Sequence, residues 1–135
     1  MTIRIAMWSR PRNISTAMMR SCENRDDCAV IDEPFYAAYL AASGSVHPMQ
    51  EEVLAAQPQD WRDVVARLLG PAPKNRLIWY QKHMTHHMWP AFGRDWIANM
   101  RNAFLIRAPE EVLASYLQKR GEASLSFGRL VSWTV

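Results

Sequence analysis

The apolar positions of this chain change their spacing in a regular way. Between Thr2 and Trp8, the residues Ile3, Ile5 and Met7 fall on every second position, the period that marks a strand. Ser9–Asn13 is polar and carries Pro11, so it reads as a turn. Ile14–Asn24 takes a helical spacing, with Asn13 or Ser15 available to cap it. Ala29-Val30-Ile31 is a short apolar run closed by Asp32-Glu33-Pro34, and it reads as a second strand. Phe35–Ala42 and Pro48–Ala56 follow as helices, separated by Ser43-Gly44-Ser45. The strongest stripe lies in Asp60–Leu69, where Trp61, Val64, Val65, Leu68 and Leu69 recur at helical intervals. Asp60 is placed to cap that helix and Gly70 to stop it. Leu77–Tyr80 and Ala103–Ile106 are strands three and four, with a mixed stretch expected to be helical at Ala91–Met100 between them. Pro109–Lys119 closes the series as a helix. Pro109 sits in its first turn, Glu110 and Glu111 lie at the positive end of its dipole, and Gly121 follows it.

Strands alternating with helices predict an α/β fold, a parallel β-sheet flanked by helices. Such sheets bind ligands at the carboxyl ends of their strands. The loops after Trp8, Ile31, Tyr80 and Ile106 are therefore where chemistry is expected.

Composition narrows the class. With 135 residues, 49% hydrophobic and 21% charged, the chain has enough apolar surface for one domain with a core, which excludes a disordered chain. A net charge of +3 is too mild to call for a nucleic-acid partner, but it suits a small anionic ligand. Cys22 and Cys28 form neither a disulfide framework nor a C-x-x-C pair, and read as free thiols in a reducing compartment. The first residues do not form a signal peptide, and no apolar run reaches the roughly 20 residues of a membrane helix. The expectation is a cytoplasmic protein with no membrane partner.

The turn after the first strand is chemically loaded. Ser9-Arg10-Pro11-Arg12-Asn13-Ile14-Ser15-Thr16 offers two guanidinium groups, two hydroxyls and the free N–H groups of a helix start. That set suits a phosphate or a sulfate. The plain alternative is a polar turn whose Ser15 and Thr16 only serve the helix end. The glycines and lysine of G-x-x-x-x-G-K-[ST] are absent, which argues against Mg-dependent NTP hydrolysis.

The run Met7-Trp8-Ser9-Arg10-Pro11-Arg12-Asn13-Ile14-Ser15-Thr16-Ala17-Met18-Met19-Arg20-Ser21 resembles the 5′-phosphosulfate loop of the P-loop sulfotransferase superfamily. It is most similar to bacterial sulfotransferase-like proteins with an S-x-P-R-N-x-S-T loop. The resemblance implies a P-loop nucleotide-binding fold and 3′-phosphoadenosine 5′-phosphosulfate (PAPS) as co-substrate, with no metal. It puts Arg12 in the place of the loop's basic residue and wraps Asn13, Ile14, Ser15 and Thr16 around the transferred group. Arg10 departs from the pattern, standing where a small residue is usual. It either crowds the nucleotide or adds a cation.

A second match lies in Phe104-Leu105-Ile106-Arg107-Ala108-Pro109-Glu110-Glu111-Val112-Leu113-Ala114-Ser115-Tyr116. The superfamily places an arginine at a strand end and a serine eight residues later, and the two hold the nucleotide's 3′-phosphate. Arg107 and Ser115 have that spacing, while Ala108 replaces the Asp or Asn often found there. Without the resemblance, Arg107 is a surface arginine and Ser115 a serine tucked against a neighbouring helix.

Sulfuryl transfer to a hydroxyl or amine needs a proton acceptor and cations near the departing phosphate. Asp32-Glu33-Pro34-Phe35 is similar to a place where some bacterial sulfotransferases carry a catalytic glutamate, which makes Glu33 the first candidate; Asp32 has no assigned role. A carboxylate favoured by a helix dipole is the plain reading of Glu33. By analogy with other sulfotransferases, Lys82 and His83 follow the third strand, Lys82 to stabilise the leaving phosphate and His83 as a base. His86 and His87 stay open for that role. On a helix His83, His86 and His87 would share a face, but H-E-x-x-H is absent and no cysteine is near, so no metal is expected. Trp61 belongs to a core stripe. Trp89-Pro90-Ala91-Phe92 either lines an acceptor pocket or packs the sheet, and packing is preferred. Met18, Met19, Met84, Met88 and Met100 read as gap-fillers.

Superfamily members usually continue past the arginine–serine element with a basic loop and further helices. The resemblance covers residues 1–121, the amino-terminal part of the family domain, and 122–135 reads as an irregular tail. The expectation is a fold incomplete at the carboxyl end, a fragment or truncated member. Its expected partners are the nucleotide and a small-molecule acceptor. The rival readings are a phosphotransferase using the same turn, and a noncatalytic remnant that binds a nucleotide or a partner protein.

Overall fold

The computed structural model describes residues 1–120. The chain runs β1 (Ile3–Ser9), α1 (Ser15–Glu23), β2 (Cys28–Asp32), α2 (Tyr36–Ser43), α3 (Gln50–Ala56), α4 (Trp61–Leu69), β3 (Ile78–Met84), β4 (Arg101–Leu105) and α5 (Pro109–Arg120). The four strands are all parallel, in the order β2-β3-β1-β4. This is the expected α/β architecture. The register sets Trp8 beside His83 and Phe104, and Asp32 beside Lys82. The strands therefore finish along one edge, which carries the loops of interest.

Both faces of the sheet are covered, as a parallel sheet requires. On one face, Met19 of α1 packs with Cys28 and Tyr80, joined by Ile5, Met7 and Val30. The other face holds the larger core. There Ala6, Trp8 and Trp79 meet Phe35 and Ala38, Val64 and Leu68 of α4, and Met88, Phe92, Trp96 and Met100. The alternation of Ile3, Ile5 and Met7 is real, but the opposite positions of β1, Ala6 and Trp8, are buried more deeply. Phe92 packs in the core, as preferred from the sequence, with Trp89 against it.

Some elements differ from the sequence reading. β3 continues through Met84, so Gln81, Lys82 and His83 lie in the strand and not in the loop after it. Their polarity hid this. Inside, Gln81 Nε2 donates to the Leu68 carbonyl at 3.2 Å and His83 Nε2 donates to Gln81 Oε1 at 3.2 Å. Met84 Sδ accepts from Ser9 Oγ at 3.6 Å. A polar run can stay in a strand when each group finds a partner. Residues 91–100 contain a 3₁₀ turn, Asp95–Asn99, where a helix was expected. The face shared by three histidines on one helix does not exist, because His86 and His87 occupy a separate 3₁₀ turn, Thr85–His87.

Two details explain residues that looked out of place. Arg4 interrupts the apolar run of β1 because its Nη2 donates to the Leu69 and Gly70 carbonyls, both at 2.8 Å. That satisfies the last carbonyls of α4. At the other end of α4, Asp60 caps as expected, its Oδ1 accepting from the Arg62 N–H at 2.8 Å. No helix among the described residues is long and apolar enough to cross a membrane. The tail expected at 122–135 lies outside the described residues.

Candidate functional site

The ends of β1 and β4 are neighbours, and the two loops they feed are tied together. The first loop turns at Arg12, whose φ of 66° is left-handed. α1 starts with Ile14 in the N-cap position, and no side chain caps it. The expected cap from Asn13 or Ser15 is therefore not formed. Asn13 instead reaches across to β4, its Nδ2 donating to the Leu105 carbonyl at 3.0 Å. Ser15 is buried, Thr16 and Arg10 are exposed, and Ile14 is 65% exposed. The first N–H groups of α1 are left without the side-chain acceptor that usually takes one of them.

The second loop closes onto the first. Arg107 Nη1 donates to the carbonyl of Arg12 at 2.8 Å. Arg12 donates to Ser115 Oγ through Nε at 3.0 Å and Nη2 at 2.7 Å. Arg107 also pairs with Glu111, Nε to Oε2 at 3.2 Å. Arg12, Arg107 and Ser115 thus form one hydrogen-bonded junction although 103 positions separate Arg12 from Ser115. Ser115 Oγ accepts from Arg12, so its own hydroxyl proton remains to be donated elsewhere.

Across the same edge, the end of β2 carries a three-membered ion cluster. Lys82 Nζ lies 2.9 Å from Asp32 Oδ1 and 3.0 Å from Glu33 Oε1. The lysine side chain is 4% exposed, against 28% for Glu33 and 47% for Asp32. Burial disfavours the ammonium, but its bonds to Asp32 and Glu33 and their charges outweigh that and hold Lys82 above the usual lysine pKa. Glu33 is a second left-handed residue, with φ 44°. Its N–H donates to the Lys82 carbonyl at 3.0 Å. Lys82 therefore grips Glu33 by backbone and by side chain.

His83 is in a different setting. It is 1% exposed, stacked on Trp8 with ring centroids 4.5 Å apart, and flanked by Phe35 and Trp96. Burial pushes its pKa down to about 3. His87 is buried too, stacked on Tyr36 at 4.8 Å and Tyr39 at 5.1 Å, and burial followed by the charge of His86 takes it to about 2. His47 Nδ1 lies 2.6 Å from the Tyr36 hydroxyl, and the Tyr36 N–H donates to the Glu33 carbonyl at 3.1 Å. Burial and then the charge of Glu33 raise the Tyr36 phenol. Sequence reading missed Tyr36, Tyr39 and His47. The pair of tyrosines one helical step apart, directly after Glu33, was the available signal. Among the described residues no group of three His, Cys, Asp or Glu side chains could hold a metal.

A family model described as a sulfotransferase domain matches residues 3–130. This chain belongs to that family. Two curated relatives from Arabidopsis thaliana are similar to this sulfotransferase-domain chain. "Branched-chain-amino-acid aminotransferase-like protein 2" is 33% identical over 131 residues, and "Branched-chain-amino-acid aminotransferase-like protein 1" is 31% identical over 130. Each match covers 95% of this chain but 23% of the relative, so the chain spans about a quarter of the length of these proteins. No solved structure matches significantly. The family and the parallel sheet together make the chain sulfotransferase-like.

Proposed function

We propose that the chain binds PAPS along the ends of β1 and β4 and transfers its sulfuryl group to a hydroxyl or amine of a small molecule. The observation that carries this reading is the junction of Arg12, Arg107 and Ser115, because one bisphosphate nucleotide can then span two cationic loops. The donor set fits such a ligand: guanidinium groups, an uncapped helix start and a serine hydroxyl with its proton to give. When bound, PAPS supplies the activated sulfuryl group.

The chain's own residues then divide the work. Arg107 and Ser115 hold the 3′-phosphate. Arg12 and the N–H groups from Asn13 to Thr16 hold the 5′ end and stabilise the charge left on the 5′-phosphate oxygen. Arg10 adds positive charge at the same loop. Glu33 accepts the proton of the attacking hydroxyl or amine as the new bond to sulfur forms. Lys82, committed to two carboxylates, orients Glu33 instead of meeting the phosphate. His83, enclosed by aromatic rings, keeps the core in place and leaves the base role to Glu33.

The relatives' names speak of aminotransferases. That label is not carried to this chain, because the matched stretch is under a quarter of each relative and is the part that the sulfotransferase family covers. The test is calorimetric titration with adenosine 3′,5′-bisphosphate, followed by a sulfated-product assay with PAPS. Binding that is lost in Arg107→Ala supports the reading. A folded chain that does not bind the bisphosphate removes it. Binding with no turnover for any hydroxyl or amine selects a noncatalytic nucleotide-binding remnant.

A further inference from the structure

We propose that Glu111 is a built-in competitor for Arg107, and that it sets how tightly the chain holds the 3′-phosphate of its nucleotide. This rests on the reading that Arg107 receives that phosphate. Arg107 presents its donors in a fixed fork. Nη1 is given to the Arg12 carbonyl, which holds the two loops together. Nε is given to Glu111 Oε2 at 3.2 Å. A carboxylate on this guanidinium occupies donors that a phosphate would need, because carboxylate and phosphate accept from the same fork.

The position of Glu111 adds to the effect. It lies in the first turn of α5, where the helix dipole favours negative charge. A phosphate held between Arg107 and Ser115 lies close to that turn. Once displaced, the carboxylate remains nearby and repels the phosphate. The pair is also easily broken, since 62% of the Glu111 side chain and 36% of the Arg107 side chain are exposed. Exposed pairs of this kind are weak. Glu111 therefore lowers affinity without blocking the site. It tunes the exchange of a product that carries the same 3′-phosphate as the co-substrate.

The test compares the full chain with Glu111→Gln and with Glu110→Gln, which removes the same charge one position away. Each is titrated with adenosine 3′,5′-bisphosphate and with adenosine 5′-phosphate. Glu111→Gln is expected to tighten the bisphosphate by about two- to fivefold, and the gain shrinks at high salt. It leaves the 5′-monophosphate unchanged, and Glu110→Gln changes neither. Equal tightening of both nucleotides overturns the proposal, since the carboxylate then acts through the general field. Unchanged or weaker bisphosphate binding in Glu111→Gln overturns it as well. If the unmodified chain binds the bisphosphate and Arg107→Ala abolishes it while Glu111→Gln does nothing, the nucleotide reading stands and only this inference fails. If no chain binds, both fall.

Discussion

Arg12 and Glu33 hold left-handed backbone that glycine would adopt more cheaply, at φ 66° and 44°. Side chains kept in such conformations cost of order 1 kcal/mol each and gather at functional sites. Arg12→Gly separates the two roles of that position. The backbone strain is relieved, so stability should change by less than about 1 kcal/mol. Bisphosphate affinity should fall about ten- to hundredfold, the value of a charge-assisted contact. A large loss of stability with affinity intact would contradict the assignment. Glu33→Gln is expected to lower turnover by about 10²–10⁴-fold while nucleotide affinity stays within about twofold. Single-turnover measurements beside a titration check this split. At this scale the site is legible in part. Arg12, Arg107 and Ser115 stand out only through the resemblance to the sulfotransferase loops, since each alone reads as an ordinary surface or helix-end residue. The contacts of Lys82 are not legible, because only the pairing of Asp32 beside Lys82 across β2 and β3 makes the lysine a partner of two carboxylates.

Elements were readable where one periodicity dominated. α4 shows its stripe, its Asp60 cap and its stop in the sequence alone, and the structure has all three. The second half of β3 is hidden in the sequence, because a buried polar run looks like a loop until Leu68 and the two carboxylates are brought against it. Residues 91–100 held no helix because short 3₁₀ packing of Trp96 and Met100 against the sheet replaced it. One glycine in that segment is required by contact. A Cβ on Gly93 would lie 2.6 Å from the Trp61 ring. Gly93→Ala should therefore push the segment away from α4 and cost about 1–3 kcal/mol, read from chemical unfolding. A neutral result would mean that the Trp61 ring moves freely.

The whole molecule couples a core of buried imidazoles to a charged edge. His83 and His87, both held neutral by burial, have pKa values lowered from 6.5 to about 3 and about 2. Their stabilising effect is complete above pH 6.5, where both states are neutral. It is lost as pH falls from 6.5 toward 3, because the unfolded chain takes up the protons first. The slope reaches about 1.4 kcal/mol per pH unit for each histidine. Urea midpoints should fall between pH 7 and pH 5, and His83→Gln should flatten that fall. A midpoint independent of pH over this range would contradict the enclosed setting of the rings.

The parallel sheet places the two loops side by side at the ends of β1 and β4, where one nucleotide would engage both together. The direct measurement is calorimetric titration of the chain with adenosine 3′,5′-bisphosphate, adenosine 5′-phosphate and adenosine 3′-phosphate. A single site that takes the bisphosphate at least tenfold more tightly than either monophosphate, with the advantage over the 5′-phosphate lost in Arg107→Ala, is the predicted result. Equal affinity for all three, or none for the bisphosphate, would show that the junction of Arg12, Arg107 and Ser115 serves the fold alone.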